Sequence, residues 1–254
     1  NQMEKTVLLK STPTWAPVRA NSVANQIVIQ VREALFEGRF QPGDLLGSEK
    51  DLAAQFDVSR ITVRDALRTL ETMGIIEIRV GAGGGARIAQ GNLDYYSDAL
   101  SIQFKLSGIT EQEVLDLQIA IEGAAIELAA LNRSQADLDK LVGLLDEAER
   151  LLDDPAVFTQ SGQKFHLAIV EASGNRAFIA QFKALRYVVW SKNAKRAKRE
   201  IALNVLKIHK NIYKVIKEGD PDSARKLMVT HLESIRTMTF QKNTKKAING
   251  PVCC

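Results

Sequence analysis

Two sets of side chains in this chain have the types and spacing that chemistry requires. Ser59, Arg60, Thr62, Arg64 and Arg68 lie close together in sequence. Arginine presents a fork of donors that pairs with guanine edges in a DNA major groove, while small hydroxyls and backbone amides hold phosphates. The second set is His166, His209 and His231, the only three histidines of the sequence. His209 and His231 flank Gly219-Asp220, each 11 residues from position 220 (220 − 209 and 231 − 220). Residues equidistant from the turn of an antiparallel helix hairpin lie level, so these two imidazoles can face each other. With His166 they would complete a facial set for a divalent transition metal such as zinc or nickel. The bland readings are a solvated helical face for the arginines and satisfied core residues for the histidines.

The elements that must position the arginines come next. Asp51 to Met73 reads as two short helices around a tight turn. Val63, Ala66, Leu67 and Leu70 form one buried stripe at i, i+3, i+4, i+7, which turns Arg60, Thr62, Arg64 and Arg68 outward. Ser59 stands where its hydroxyl can cap the helix N-terminus. The pattern predicts the recognition helix of a helix-turn-helix. Ile75 to Val80 then alternates apolar and polar residues, GAGGGA turns the chain, and Arg87-Ile88-Ala89 resumes a strand-like run. A glycine-tipped hairpin after two helices is the winged form of the motif, with Arg79 and Arg87 flanking the tip, placed to meet the sugar-phosphate backbone or the minor groove. The glycine run is a poor dinucleotide loop, because a strand rather than a helix follows and Ala86 holds the last glycine position.

The histidines belong to a helical region. Thr110 with Glu113 makes a capping box, and Val114, Leu117, Ile121, Ala124, Ala125 and Leu128 read as a broad apolar face. Further helices are predicted from Ser134 to Leu152, Ala156 to Ala172, Ala177 to Arg199, Ala202 to Lys217 and Asp222 to Gln241. The lysine-rich run from Lys192 to Arg199 reads as a solvated helical face. The organisation expected is a flexible arm (1–20), a winged helix-turn-helix domain (21–90), a partly helical connector (91–109), an antiparallel all-helical bundle (110–241) and a disordered tail (242–254). The fold class is mainly α.

Composition bounds the rest. The 254 residues are 45% hydrophobic, with net charge +4 and pI near 9.0, compatible with an anionic partner. No apolar run approaches a membrane span and no signal-peptide pattern opens the sequence. Cys253 and Cys254 are adjacent, without metal-site spacing. A cytoplasmic protein is expected.

The order helix, PGDLLGSEKDLA, VSRITVRDALRTLETMGII and glycine-tipped wing resembles the DNA-binding domain of the GntR family of bacterial transcription regulators, over residues 21–90. The resemblance implies that Ser59, Arg60, Thr62 and Arg64 contact operator DNA, with Gly81 at the wing tip. Lys50 stands where many members carry arginine; it can meet a phosphate but is a weaker paired donor. EGAAIELAALN, KFHLAIVEASGN and IHKNIYKVIKEGDPDSARKLMVTHLESI are similar to the FCD effector domain of the FadR-like branch, over residues 97–240. That resemblance implies a metal held by His166, His209 and His231 and by an aspartate four residues before the first. Gly162 occupies the aspartate position, which implies a weaker site whose remaining positions go to water or an effector oxygen. It also implies an effector-binding arginine where this chain has Gln118, which can hydrogen-bond but carries no charge. Arg186 is the candidate replacement.

The reading is a homodimeric, ligand-responsive transcription regulator and not an enzyme. It would bind palindromic operator DNA and repress until a small organic or sugar acid, or a derivative, enters the bundle. Two alternatives stay open. A metal-dependent hydrolase or lyase built on the histidines lacks HEXXH and any carboxylate at metallohydrolase spacing after His166. A constitutive DNA-binding protein would have a vestigial cavity.

Overall fold

Residues 23–81, 84–189 and 199–248 are described by the computed structural model, with backbone alone for residues 155–156, 186–189 and 238–248. The expected arm (1–20), the end of the tail (249–254) and the run 192–198 lie outside them. The chain divides at Gly91 into two units.

The first unit runs α1 (Val23–Phe36), β1 (Leu45–Gly47), α2 (Glu49–Phe56), α3 (Arg60–Thr72), β2 (Ile76–Arg79) and β3 (Gly85–Ile88). Val63, Ala66, Leu67 and Leu70 of α3 are buried together with Ile27, Val28 and Val31 of α1 and with Ile76, Ala86 and Ile88 of the sheet. Each valine, leucine or isoleucine among them contributes about 1.5–3 kcal/mol when fully buried. The stripe expected on α3 is therefore the stripe that anchors it. Asp57 turns the chain between α2 and α3 in the left-handed region (φ 52°). Asp tolerates that conformation because its short polar side chain bonds locally.

The sheet is antiparallel in the order β1-β3-β2. β1 is three residues long, too short to show a period, and only pairing with β3 makes it a strand. At the wing tip Gly84 is sterically required. A Cβ there would lie 2.4 Å from the Arg79 carbonyl oxygen.

The second unit is a bundle of α4 (Leu93–Leu106), α5 (Glu111–Asn132), α6 (Gln135–Arg150), α7 (Pro155–Ala172), α8 (Arg176–Val189), α9 (Arg199–Glu218) and α10 (Pro221–Ile248). The expected connector is mostly α4, capped by Asn92, whose side chain accepts from the Asp94 and Tyr95 amides. The Ser97 hydroxyl donates to Ala180 O at 2.8 Å and Lys183 pairs with Asp94 at 2.7 Å, fixing α4 on α8. α10 runs past Gln241 to Ile248, because KNTKKAI holds no breaker before Asn249-Gly250-Pro251. α9 and α10 form the expected hairpin about Gly219 (φ 77°), where the Arg133 guanidinium occupies the space a Cβ would need.

The buried face of α5 differs from the one the pattern predicts. Leu117 is exposed, while Leu115, Gln118, Glu122 and Ile126 turn inward beside Val114, Ile121 and Ala125. This helix is apolar on nearly every side, so its sequence marks no single stripe, and packing against its neighbours selects the face.

Candidate functional site

At the start of α3 the sequence folds for a local reason. Ser59 has extended backbone and its Oγ accepts from the Thr62 amide at 3.2 Å, satisfying one of the orphan donors of the first turn. The two hydroxyls, Ser59 Oγ and Thr62 Oγ1, are 2.9 Å apart. Arg60, Arg64 and Arg68 are all exposed. Arg64 forms a two-pronged pair with Glu49 of α2, Nε to Oε1 at 2.9 Å and Nη2 to Oε2 at 2.7 Å. Those hydrogen bonds hold the Glu49 carboxyl below its ordinary pKa range, with smaller help from the Arg60 and Arg68 charges. Arg60, Arg68 and Lys50 make no ion pair among the described residues. Ile61, absent from the sequence-based set, is 71% exposed between Arg60 and Thr62. An apolar side chain there suits a thymine methyl.

The wing arginines differ from each other. Arg79 is exposed and pairs along its own strand with Glu77, Nε to Oε1 at 2.9 Å. Arg87 is half-buried and its Nη1 donates to Gly43 O at 3.1 Å, so it braces the Pro42-Gly43 turn and does not flank the tip as a free cation. Gly81 is exposed with φ 107°; Ala82 and Gly83 lie outside the described residues.

In the bundle α7, α9 and α10 bring His166, His209 and His231 together, all buried. His209 Nε2 lies 3.3 Å from His166 Nε2 and 3.2 Å from His231 Nε2. Donors about 2.1 Å from one metal ion stand roughly 3.0 Å apart at octahedral and 3.4 Å apart at tetrahedral angles. The two separations from His209 lie in that range, and the three ligand nitrogens lie within 4.8 Å of one another. Phe165 stacks on His209 with ring centroids 4.7 Å apart and holds its plane.

Glu122, fully buried on α5, accepts from His166 Nδ1 and from Gln118 Nε2, the latter at 2.6 Å. An ionised carboxylate only accepts, so His166 donates through Nδ1–H and turns the Nε2 lone pair towards the other two rings. Burial, then the neighbouring rings of His166 and His231, push His209 well below the ordinary imidazole pKa. Burial, then His166, lowers His231 to about 3. Neutral rings are the form in which imidazole ligates metal.

The rings open on a cavity of about 190 Å³ whose wall includes Leu115, Gln118, Phe158, Val205 and Ile235. Gly162 is also on that wall, and a Cβ added to it would touch His209 Cε1 at an ordinary 3.6 Å. Position 162 thus faces the imidazole group, where a carboxylate would reach it. Gln118 is brought to the site; the Arg186 side chain lies outside the described residues. Glu122 is the residue sequence reasoning missed. The i, i+4 spacing puts Gln118 and Glu122 on one face, but Glu111, Glu113, Asp116 and Glu127 on the same helix left this carboxylate without contrast.

Two family models match the chain: "Bacterial regulatory proteins, gntR family" over residues 23–85 and "FCD domain" over residues 113–234. The HTH-type transcriptional repressor NanR of Klebsiella aerogenes is 30% identical over 227 residues, 86% of this chain and 86% of the relative. The putative L-lactate dehydrogenase operon regulatory protein of Escherichia coli is 28% identical, covering 85% of each. The solved structure of Streptococcus agalactiae GntR shares the fold, with a TM-score of 0.57, 24% identity, and cover of 85% of this chain and 99% of that one. Relatives of this kind are transcription regulators, not enzymes, and no described helix is long and apolar enough to cross a membrane. With both models matched in the order head then bundle, the chain belongs to the GntR family of bacterial regulatory proteins, in the branch that carries an FCD domain, and is a ligand-responsive transcription regulator.

Proposed function

We propose that the chain acts in the cytoplasm as a homodimeric repressor, released from a palindromic operator when a small organic acid enters the bundle cavity. The observation that carries the DNA-binding part is the outer surface of α3. Its first turns present Arg60, Ile61, Thr62 and Arg64 around a capped N-terminus. Arg60 and Arg64 read base edges, Ser59 and Thr62 hold phosphates, and Lys50, Arg68 and Arg79 add backbone contacts. Gly81 lets the wing tip approach the DNA. A two-fold dimer presents two such helices to two half-sites. The repressor sense follows the name of the Klebsiella aerogenes relative.

His166, His209 and His231 hold a divalent metal, zinc or nickel, with Glu122 orienting His166. When bound, the metal supplies a Lewis acid to which an acidic oxygen of the effector can attach. With glycine at position 162, that oxygen meets no carboxylate from the chain. The small cavity, below the size usual for drug-like ligands, and the L-lactate in the name of the Escherichia coli relative support a short acid. The effector shifts operator affinity only by its differential binding to two states of the dimer.

Fluorescence anisotropy with a duplex selected from a random pool tests the head. Arg60→Ala and Arg64→Ala each weaken binding by about 1–3 kcal/mol, roughly 5- to 150-fold, with an unchanged circular dichroism spectrum. Unchanged affinity in both variants rules out α3 as the reading helix.

A further inference from the structure

The amide of Gln118 is committed at one end and unanswered at the other. Its Nε2 donates to Glu122 Oε1, and turning the amide round would set oxygen against oxygen. Its Oε1 is buried and accepts nothing, on a residue that is 4% exposed and forms part of the cavity wall. A buried acceptor without a donor is costly, and such groups in folded proteins call for a partner. No donor of the described wall bonds it. The other members of that wall are apolar side chains, the three imidazoles, Thr159, Gln163 and Gly162, with no arginine or lysine among them.

We propose that Gln118 selects effectors by a hydrogen-bond donor. The cavity takes a small acid carrying a hydroxyl or an amide N–H, which donates to Gln118 Oε1 while an acidic oxygen of the same molecule lies against the imidazole group. This inference rests on the small-acid reading above and narrows it. A guanidinium at position 118 would reward a bare carboxylate. An amide whose nitrogen is already spent on Glu122 rewards a donor and leaves an acid without one facing an unpaired oxygen.

Isothermal titration calorimetry of the full chain, equilibrated with zinc, tests the proposal with matched pairs: glycolate and acetate, L-lactate and propionate, N-acetylglycine and levulinate. The donor-bearing member of at least one pair binds about tenfold tighter or more. Gln118→Arg keeps a donor for Glu122 but removes the acceptor, and it brings the ratio within about twofold without weakening the donor-free acid. Gln118→Met, which has neither group, also abolishes the preference and serves where the arginine variant does not fold. Equal binding of both members in the native chain, or a preference that survives both substitutions, overturns the role of Gln118 and leaves the small-acid reading intact. If no member of any pair binds, the small-acid reading itself fails, and the selection with it.

Discussion

Arg64 pairs with Glu49 and Glu122 accepts from His166, and the two hydrogen-bonded pairs stand at opposite extremes of exposure. The Arg64 side chain is 51% exposed beside Glu49, whereas Glu122 is 0% exposed beside His166. An exposed pair is worth about 0.2–1 kcal/mol, so Glu49 braces Arg64 lightly while the remaining guanidinium donors stay available to a base edge or phosphate. Removing the acceptor of a buried hydrogen bond costs about 1–3 kcal/mol for each donor left unsatisfied. In the head, charge is kept in water and lightly held, ready to be spent on a partner molecule. In the bundle, it is buried and used to fix the orientation of a neighbouring ring. The same interaction therefore serves recognition in one unit and preorganisation in the other.

The comparison is broken most directly by Glu122→Ala. The substitution leaves His166 Nδ1–H and the Gln118 amide without their acceptor. Unfolding in urea is expected to show a loss of about 2–6 kcal/mol for the bundle, from two buried donors left without an acceptor. A loss under 1 kcal/mol would mean that the pair orients nothing.

Acid provides an intermediate test on metal-free protein. His209 and His231 have folded-state pKa values below the ordinary 6.5, so the unfolded chain binds more protons than the folded one as pH falls. The bundle keeps its full stability above about pH 6.5 and loses it progressively from there towards about pH 3, the folded value for His231. The head, with no histidine between residues 1 and 91, lacks this term. Calorimetry in a chelator should show the bundle transition moving down between pH 7.5 and 5; a bundle transition that stays fixed contradicts neutral burial of the rings.

The smallest effect is expected at Glu49→Gln. Stability changes by less than about 1 kcal/mol. Removing one carboxylate beside the reading helix raises binding to unselected DNA, and loss of the brace on Arg64 lowers the ratio of selected to unselected binding by about tenfold at most. A ratio that rises instead would show Glu49 to be a competitor for Arg64, not a brace.

The legibility of the two regions followed the same division. The α3 surface was readable because its stripe, cap and outward arginines are all local, set by a 3.6-residue period. The level of His209 and His231 was readable from their symmetry about Asp220. The pairing of Arg64 with Glu49, 15 residues away, and of Arg87 with Gly43 had no period to announce them. Nor did β1, which exists only through β3. Glu122 was hidden because α5 is apolar on most sides, and its inward face is decided by the helices it meets. The Gln118 position was chosen by resemblance, yet the direction of its amide depends on Glu122 and emerges only from packing.

Operator affinity measured with and without ligand tests the account most directly, because it joins the two regions. The selected duplex should be titrated with zinc-equilibrated protein, alone and with a saturating acid identified by calorimetry, and with His209→Ala as control. Affinity is expected to fall at least fivefold when acid is added, with the same factor recovered when acid is titrated in the presence of DNA, as linkage demands. The His209→Ala control should lose the response while still binding the duplex. Operator affinity that is indifferent to every bound acid would contradict the account and leave a DNA-binding protein whose cavity has no say in its binding.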